Sequence, residues 1–83
     1  MPQITYYTAP WCSPCRSFGP VWNRVASGSQ FRKINIEEER EHLLLYHINV
    51  LPTILITAEG KEVARHEGTM TEQQLRDFVQ LYS

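Results

Sequence analysis

Residues 4–15, ITYYTAPWCSPC, contain a strand-like run that is followed directly by a pair of cysteines. Ile4 to Thr8 consists of β-branched and aromatic residues, which strands favour, and Pro10 ends the run. Beyond Ser13, apolar residues recur at the spacing of one buried helical face, namely at Phe18, Val21, Trp22 and Val25. The sequence therefore predicts that both cysteines lie at a junction between a strand and a helix.

A Cys-x-x-Cys pair at a helix start has a specific chemical use. Residues three apart in a first helical turn have Cα atoms about 5 Å from each other, a distance that an unstrained disulfide accepts. Free N–H groups and the positive end of the helix dipole stabilise a thiolate there, most strongly at the first cysteine. We predict that Cys12 is the nucleophile, that Cys15 is the resolving thiol, and that Ser13 and Pro14 form the turn between them. Trp11 is then either an apolar lip beside Cys12 or a packing aromatic.

A zinc half-site is the main alternative for the same two cysteines. His42 and His47, four residues apart, supply an acceptable pair of histidine ligands. However, 26 residues separate Cys15 from His42, about twice the gap found in a small zinc finger. We therefore favour redox chemistry without a metal, and we expect the histidines to be surface or half-buried side chains.

Five further elements are predicted along the rest of the chain. Because β-α-β crossovers are right-handed, the second strand should run parallel to the first, with the cysteines at the carboxyl end of the first strand. A continuous apolar run after Pro52 is typical of a central strand buried on both faces. The predictions are a strand over Phe31 to Ile36, a helix over Glu37 to Tyr46, a strand over Thr53 to Thr57 with a turn into Glu62 to His66, and a final helix capped by Thr71. The predicted fold is α/β in the order βαβαββα.

Composition limits the class of protein. A chain of 83 residues has room for one core, so residues 1–83 are predicted to form a single domain. A net charge of -1 leaves no excess of basic residues that would bind nucleic acid or anionic membranes. Because neither a membrane-length apolar run nor an export signal is seen, the expected location is the cytoplasm. The expected state is a monomer without a cofactor.

The chain resembles thioredoxins over nearly its whole length. Matching features are Trp11-Cys12-Ser13-Pro14-Cys15, Pro20, Lys33-Ile34-Asn35-Ile36, Tyr46, Ile48, Pro52-Thr53, Gly60 and Gly68. The resemblance implies a thioredoxin-like fold with a four-stranded mixed sheet flanked by three helices. It also implies a cis Leu51–Pro52 peptide and a docking surface for substrate made by Leu51, Pro52, Gly68 and Trp11. Gly68 alone could equally be a simple turn glycine.

Three departures from the thioredoxin pattern are visible. The usual first strand and helix are missing, so the chain resembles a minimal form that starts as glutaredoxins do. The buried acid of thioredoxins is replaced by Tyr6, whereas its usual partner remains as Lys33. We hypothesise that proton transfer at Cys15 runs through water or Lys33. Ser13 replaces the usual glycine between the cysteines, which leaves the reduction potential open.

The first functional hypothesis is a reductase of protein disulfides that is recharged by a thioredoxin reductase-like donor. One alternative is a glutaredoxin-like enzyme recharged by glutathione, suggested by the short N-terminus. Another is a docking subunit of a larger enzyme, in which the thiols are incidental.

Overall fold

The predicted order of strands and helices is confirmed by a computed structural model, which describes residues Met1–Tyr82. Ser83, which the predicted domain includes, lies outside the described residues. In the described part, no helix is both long enough and apolar enough to cross a membrane. The elements are β1 (Gln3–Thr8), α1 (Ser13–Val25), β2 (Phe31–Asn35), α2 (Glu41–Leu45), β3 (Thr53–Ala58), β4 (Lys61–Glu67) and α3 (Glu72–Tyr82).

The four strands form one mixed sheet in the order β2-β1-β3-β4. β1 and β2 are parallel, as predicted, with Tyr6 opposite Lys33, while β3 runs antiparallel to β1 and to β4. Ile54, Leu55 and Ile56 are 0% exposed, which confirms that β3 is buried on both faces. The carboxyl ends of β1 and β2 meet at one edge of the sheet, and the cysteines follow β1 at this edge.

Apolar side chains pack against both faces of the sheet. Because successive strand residues point to opposite faces, Tyr6 joins the cluster beneath α1 and α3, whereas Tyr7 joins the cluster that contains both cysteines. In the first cluster, Phe18 and Trp22 are almost fully buried, and such side chains each contribute about 1.5–3 kcal/mol through burial. The core thus holds α1 against the sheet.

The helix predicted over Glu37 to Tyr46 is shorter than expected, since α2 spans only Glu41–Leu45. Asn35 explains the difference. Its side-chain oxygen accepts the amide of Glu37 at 3.0 Å, and its carbonyl oxygen accepts the amides of Glu38 and Glu39 at 3.0 and 3.1 Å. These bonds close a separate turn after β2, so the acidic run is a connection and not the first turn of a helix.

The predicted cap of α3 is confirmed. The amide of Gln74 donates to Thr71 Oγ1 at 3.1 Å, and the amide of Thr71 donates to the side-chain oxygen of Gln74 at 2.9 Å. This reciprocal pair is a capping box, which satisfies donors that the first helical turn leaves free.

Arg65 on β4 binds the backbone that follows α2. Its guanidinium donates to the carbonyl oxygens of Tyr46 and His47 and to both carboxylate oxygens of Glu62. The hydrogen bond from Arg65 holds the pKa of Glu62 below its usual value of 4.5. One side chain thereby joins the end of α2, which precedes the Pro52 loop, to the sheet.

We predict that Arg65→Met lowers the free energy of unfolding by about 1–3 kcal/mol, because it removes the donors of two carbonyl oxygens and one carboxylate. Chemical unfolding at neutral pH measures the loss. The control is Arg32→Met, an exposed arginine on β2 whose replacement should cost less than about 0.5 kcal/mol. Equal losses in the two variants would contradict the role of Arg65.

The same variant has a defined pH dependence. A lowered folded-state pKa means that the contribution of Glu62 is present above pH 4.5 and is lost as the pH falls through the lower folded-state pKa. The difference in stability between the unsubstituted protein and Arg65→Met should therefore shrink on acidification below 4.5. A difference that stays constant down to acid pH would show that the ion pair is not its source.

Candidate functional site

Cys12 and Cys15 form a disulfide at the start of α1, with Cα atoms 5.3 Å apart. Cys12 is the N-cap residue of the helix, and its Sγ accepts the backbone amide of Cys15 at 3.3 Å. Ser13 and Pro14 occupy the first two helical positions between them and are exposed. The geometry is the one predicted from the sequence, with two sulfurs close enough to bond across a single helical turn.

The electrostatic surroundings of the pair favour a thiolate. The first turn of α1 contains no acidic residue, so no carboxylate there offsets the effect of its free amides and of the helix dipole on the sulfurs. Arg16 follows directly, and its guanidinium donates to the carbonyl oxygen of Pro10 at 2.9 Å. Cys12 and Cys15 are only 5% and 3% exposed, so water screens this field weakly.

Trp11 lies beside the disulfide and is 62% exposed. Its indole Nε1–H donates to Glu37 Oε2 at 2.9 Å, which fixes the ring over the surface next to Cys12. The sequence interpretation missed Glu37. The signal that could have identified it is its position just after β2, because β1 and β2 are parallel and end at the same edge of the sheet.

The loop before β3 and the end of β4 meet close to the cysteines. The Leu51–Pro52 peptide is cis, and Leu51 packs against the cluster that includes Cys12 and Cys15. The amide of Gly68 donates to the carbonyl oxygen of Pro52 at 2.8 Å. Gly68 has a φ of 98°, a left-handed conformation that favours glycine. One hydrogen bond thus joins two of the residues expected to form a docking surface.

Tyr6 and Lys33 lie next to each other across β1 and β2 and line the same cleft as Cys15. The Tyr6 hydroxyl donates to the backbone carbonyl oxygen of Cys15 at 2.9 Å, and Thr8 Oγ1 is 3.3 Å from it. Burial raises the pKa of the Tyr6 phenol, so the group is a neutral donor at physiological pH.

His42 has a partner that the sequence interpretation did not identify. The hydroxyl of Tyr7 is 2.7 Å from His42 Nδ1, and burial raises the pKa of Tyr7 to about 12. His47 is exposed beyond the end of α2. Within residues 1–82, the one group of potential metal ligands that lie close together is Glu39, Glu41 and His42. The zinc alternative required the cysteines and histidines to converge, and this group contains neither cysteine.

Comparisons with known proteins agree with the fold. The thioredoxin family model matches residues 2–81. Relatives include thioredoxins from Mycoplasma pneumoniae, 35% identical over 92% of this chain and 78% of that protein, and from Pseudomonas aeruginosa, 30% identical over 94% and 76%. A probable thioredoxin-2 from Caenorhabditis elegans is 30% identical over 96% of this chain, which spans 58% of that protein.

Solved structures show the same architecture. A mutant thioredoxin from Halobacterium salinarum superposes with a TM-score of 0.85 at 26% identity, covering 98% of this chain and 74% of that one. A reduced thioredoxin from Schistosoma mansoni superposes with a TM-score of 0.87 at 20% identity, covering 99% of this chain and 79% of that one. The latter similarity supports the fold alone.

The fold and the dithiol pair define a thioredoxin-like oxidoreductase domain with an open four-stranded mixed sheet. The chain belongs to the thioredoxin family, whose members act on protein disulfides. The close Cys12–Cys15 pair and the thioredoxin relatives together support thiol–disulfide oxidoreductase activity.

Proposed function

We propose that this chain, acting as a single domain, reduces disulfides in other proteins by dithiol–disulfide exchange. The observation that carries the proposal is the Cys12 sulfur at the N-cap of α1, where it accepts the Cys15 amide and bonds to the Cys15 sulfur. The same helix start that stabilises a Cys12 thiolate holds the resolving thiol within bonding distance.

The reaction has two exchanges. The Cys12 thiolate attacks one sulfur of the substrate disulfide, which gives a mixed disulfide and releases one substrate thiolate. The Cys15 thiolate then attacks Cys12 Sγ, closes the Cys12–Cys15 bond and releases the second substrate thiolate. Two electrons pass from the dithiol to the substrate, and each released thiolate takes a proton from water. Ser13 and Pro14 set the turn that keeps the two sulfurs in reach.

The docking surface for the substrate consists of Trp11, Leu51, Pro52 and Gly68. In residues 1–82, neither the amide nor the carbonyl oxygen of Leu51 is engaged in a hydrogen bond. An extended substrate segment can therefore pair with this backbone as an added strand. Gly68 presents no side chain next to Pro52, and Trp11, which directly precedes Cys12 and is held by Glu37, supplies exposed apolar surface.

The electron donor we infer is of the thioredoxin reductase type, because the relatives are thioredoxins. A coupled assay separates this donor from glutathione with its own reductase.

We place the protein in the cytoplasm, because its reducing environment suits a disulfide that forms and is reduced again in each reaction cycle. We infer a monomer, because most of the periodic apolar residues of α1 and α3, such as Trp22 and Leu75, are already buried in the core.

We predict different outcomes for the two cysteine variants. Cys12→Ser abolishes reduction of a disulfide-bonded protein, because the attacking sulfur is lost. Cys15→Ser also abolishes turnover but accumulates a covalent mixed disulfide, since the second exchange cannot occur. Nonreducing electrophoresis and mass spectrometry detect the adduct. An adduct that forms through Cys15 in Cys12→Ser, with none through Cys12 in Cys15→Ser, would reverse the two roles.

The docking surface is tested by a matched pair of glycine variants. Gly68 and Gly28 have φ values of 98° and 91°, and a Cβ at either position meets no atom within 4 Å. Both alanine variants should lose stability by about 1–2 kcal/mol through backbone strain. We predict that only Gly68→Ala lowers kcat/KM for a protein disulfide, by about fivefold, which corresponds to roughly 1 kcal/mol.

The assay for the glycine variants includes a small-molecule disulfide as a second substrate. Its turnover should stay within about twofold in both variants, because it needs no added strand. If Gly28→Ala and Gly68→Ala lower protein reduction by the same factor, then Gly68 is only a turn residue.

A further inference from the structure

β2 is an edge strand, because the order of the sheet places it beside β1 alone. The amide of Ile4 donates to the carbonyl oxygen of Gln30 at 2.8 Å, and the amide of Ile36 donates to that of Thr8 at 3.0 Å. In a parallel ladder, residues that bond to the neighbouring strand alternate with residues whose backbone groups point the other way. The even-numbered residues of β2 therefore bond to β1, and the odd-numbered residues direct their backbone groups toward the open edge.

Four backbone groups at this edge have no partner within residues 1–82. The amide of Phe31 donates to the carbonyl oxygen of Gly28 at 3.3 Å, and the carbonyl oxygen of Asn35 accepts from the turn that follows β2. This leaves the carbonyl of Phe31, the amide and the carbonyl of Lys33, and the amide of Asn35. A row of unpaired strand groups is a template to which another strand can add.

Two clefts lie along one face of β2. Because Lys33 pairs with Tyr6, which belongs to the cluster beneath α1 and α3, Phe31 and Lys33 lie on the face that these helices cover. A cleft of about 310 Å³ beside Phe31 has Val25 and Val79 in its lining. A cleft of about 440 Å³ beside Lys33 is lined on its other side by the start of α1. Phe31 and Lys33 are about 6.6 Å apart along the strand, which is also the spacing of side chains on one face of an added strand.

Positive charge borders the larger cleft and the edge. Arg16 and Lys33 line the cleft, and Arg32 is exposed on the opposite face of β2. In the part of the chain that the structure describes, none of these three side chains forms an ion pair. Arg16 donates to the carbonyl oxygen of Pro10 at 2.9 Å, which leaves its charge without a carboxylate.

Two carboxylates of the turn that follows β2 are engaged elsewhere. Glu37 accepts the indole N–H of Trp11 at 2.9 Å, and Glu39 Oε1 lies 3.8 Å from His42 Nε2. The edge of β2 is therefore locally cationic, although the chain as a whole has a net charge of -1. Since opposite charges on neighbouring strands stabilise their pairing, a strand that adds at this edge should carry acidic side chains.

A second copy of this chain does not supply such a strand. Pairing of two β2 edges about Lys33 places its two copies opposite each other, and like charges in that position are destabilising. The other edge of the sheet is β4, in which Glu62 and Glu67 both already pair with Arg65. The charges of the edge thus favour an extended segment of a different protein.

We propose that the open edge of β2 binds an extended acidic segment of a partner protein as an added strand. An apolar side chain of the segment enters the cleft beside Phe31, and its carboxylates lie against Lys33 and Arg16. This edge is separated by β1 from β3 and from the Pro52 loop that precedes β3. The partner and a disulfide substrate therefore occupy different parts of the molecule, and the inference goes beyond the proposed function.

The experiment titrates the oxidised, nitrogen-15-labelled protein with two blocked peptides, VTVTETET and its reverse, TETETVTV. Each peptide presents valines and glutamates on one face, and together they cover both directions relative to β2. The amides of Lys33 and Asn35 should shift and gain protection from hydrogen exchange, whereas the amides of β4 should not. Peptides with lysine in place of glutamate should bind at least about tenfold more weakly, because attraction becomes repulsion at each charged position.

A matched pair of lysine variants locates the site. Lys33→Glu should weaken binding of the better acidic peptide by about tenfold, whereas Lys61→Glu should change it by less than about twofold. Lys61 is the control because it begins β4, the opposite edge strand of the sheet.

Absence of protection at Lys33 and Asn35 with both acidic peptides would overturn the inference, and so would equal binding of the lysine peptides. Dimerisation that protects the same amides without any peptide would also overturn it, since a second copy would then occupy the edge. The comparison of acidic and basic peptides uses the unsubstituted protein, so it decides the question even if Lys33→Glu does not fold. Because the disulfide stays closed throughout, the result is independent of disulfide turnover.

Discussion

The hydrogen bond from the Cys15 amide to Cys12 Sγ, 3.3 Å long, is the contact on which the function of this molecule depends. It exists because Cys12 caps α1 and because the first turn places the two Cα atoms 5.3 Å apart. The first turn of α1 therefore has two roles. It brings the sulfurs within bonding distance, and it directs amide dipoles at the outer sulfur.

The rest of the fold serves to present this helix start. β1 and β2 end at the same edge of the sheet, which brings Trp11 and Glu37 together beside Cys12. The buried strand β3 fixes the Pro52 loop, and Gly68 at the end of β4 binds that loop through its amide. Beneath the pair, Tyr6 holds the Cys15 carbonyl. Hydrogen bonds between residues far apart in the sequence thus position a site whose chemistry is local.

Periodicity and local motifs were sufficient to predict the order of the elements, the parallel pairing of β1 and β2, and the cysteine pair. These features depend on residues close in sequence or on the strong preference for right-handed crossovers. The limits of α2 were predicted wrongly, because helix propensity alone could not reveal that Asn35 captures the amides of Glu37 to Glu39. The bonds from Trp11 to Glu37 and between Tyr7 and His42 depend on side-chain geometry across elements, to which sequence pattern is insensitive.

The most direct test is the titration of the Cys12 thiol in Cys15→Ser, followed by the ultraviolet absorbance of the thiolate. An unperturbed cysteine ionises near a pKa of about 8.5. If the start of α1 stabilises the outer sulfur, the midpoint falls clearly below that value, and it rises when the protein is unfolded in denaturant. A midpoint at or above the unperturbed value in the folded protein would contradict the claim that this helix start activates Cys12.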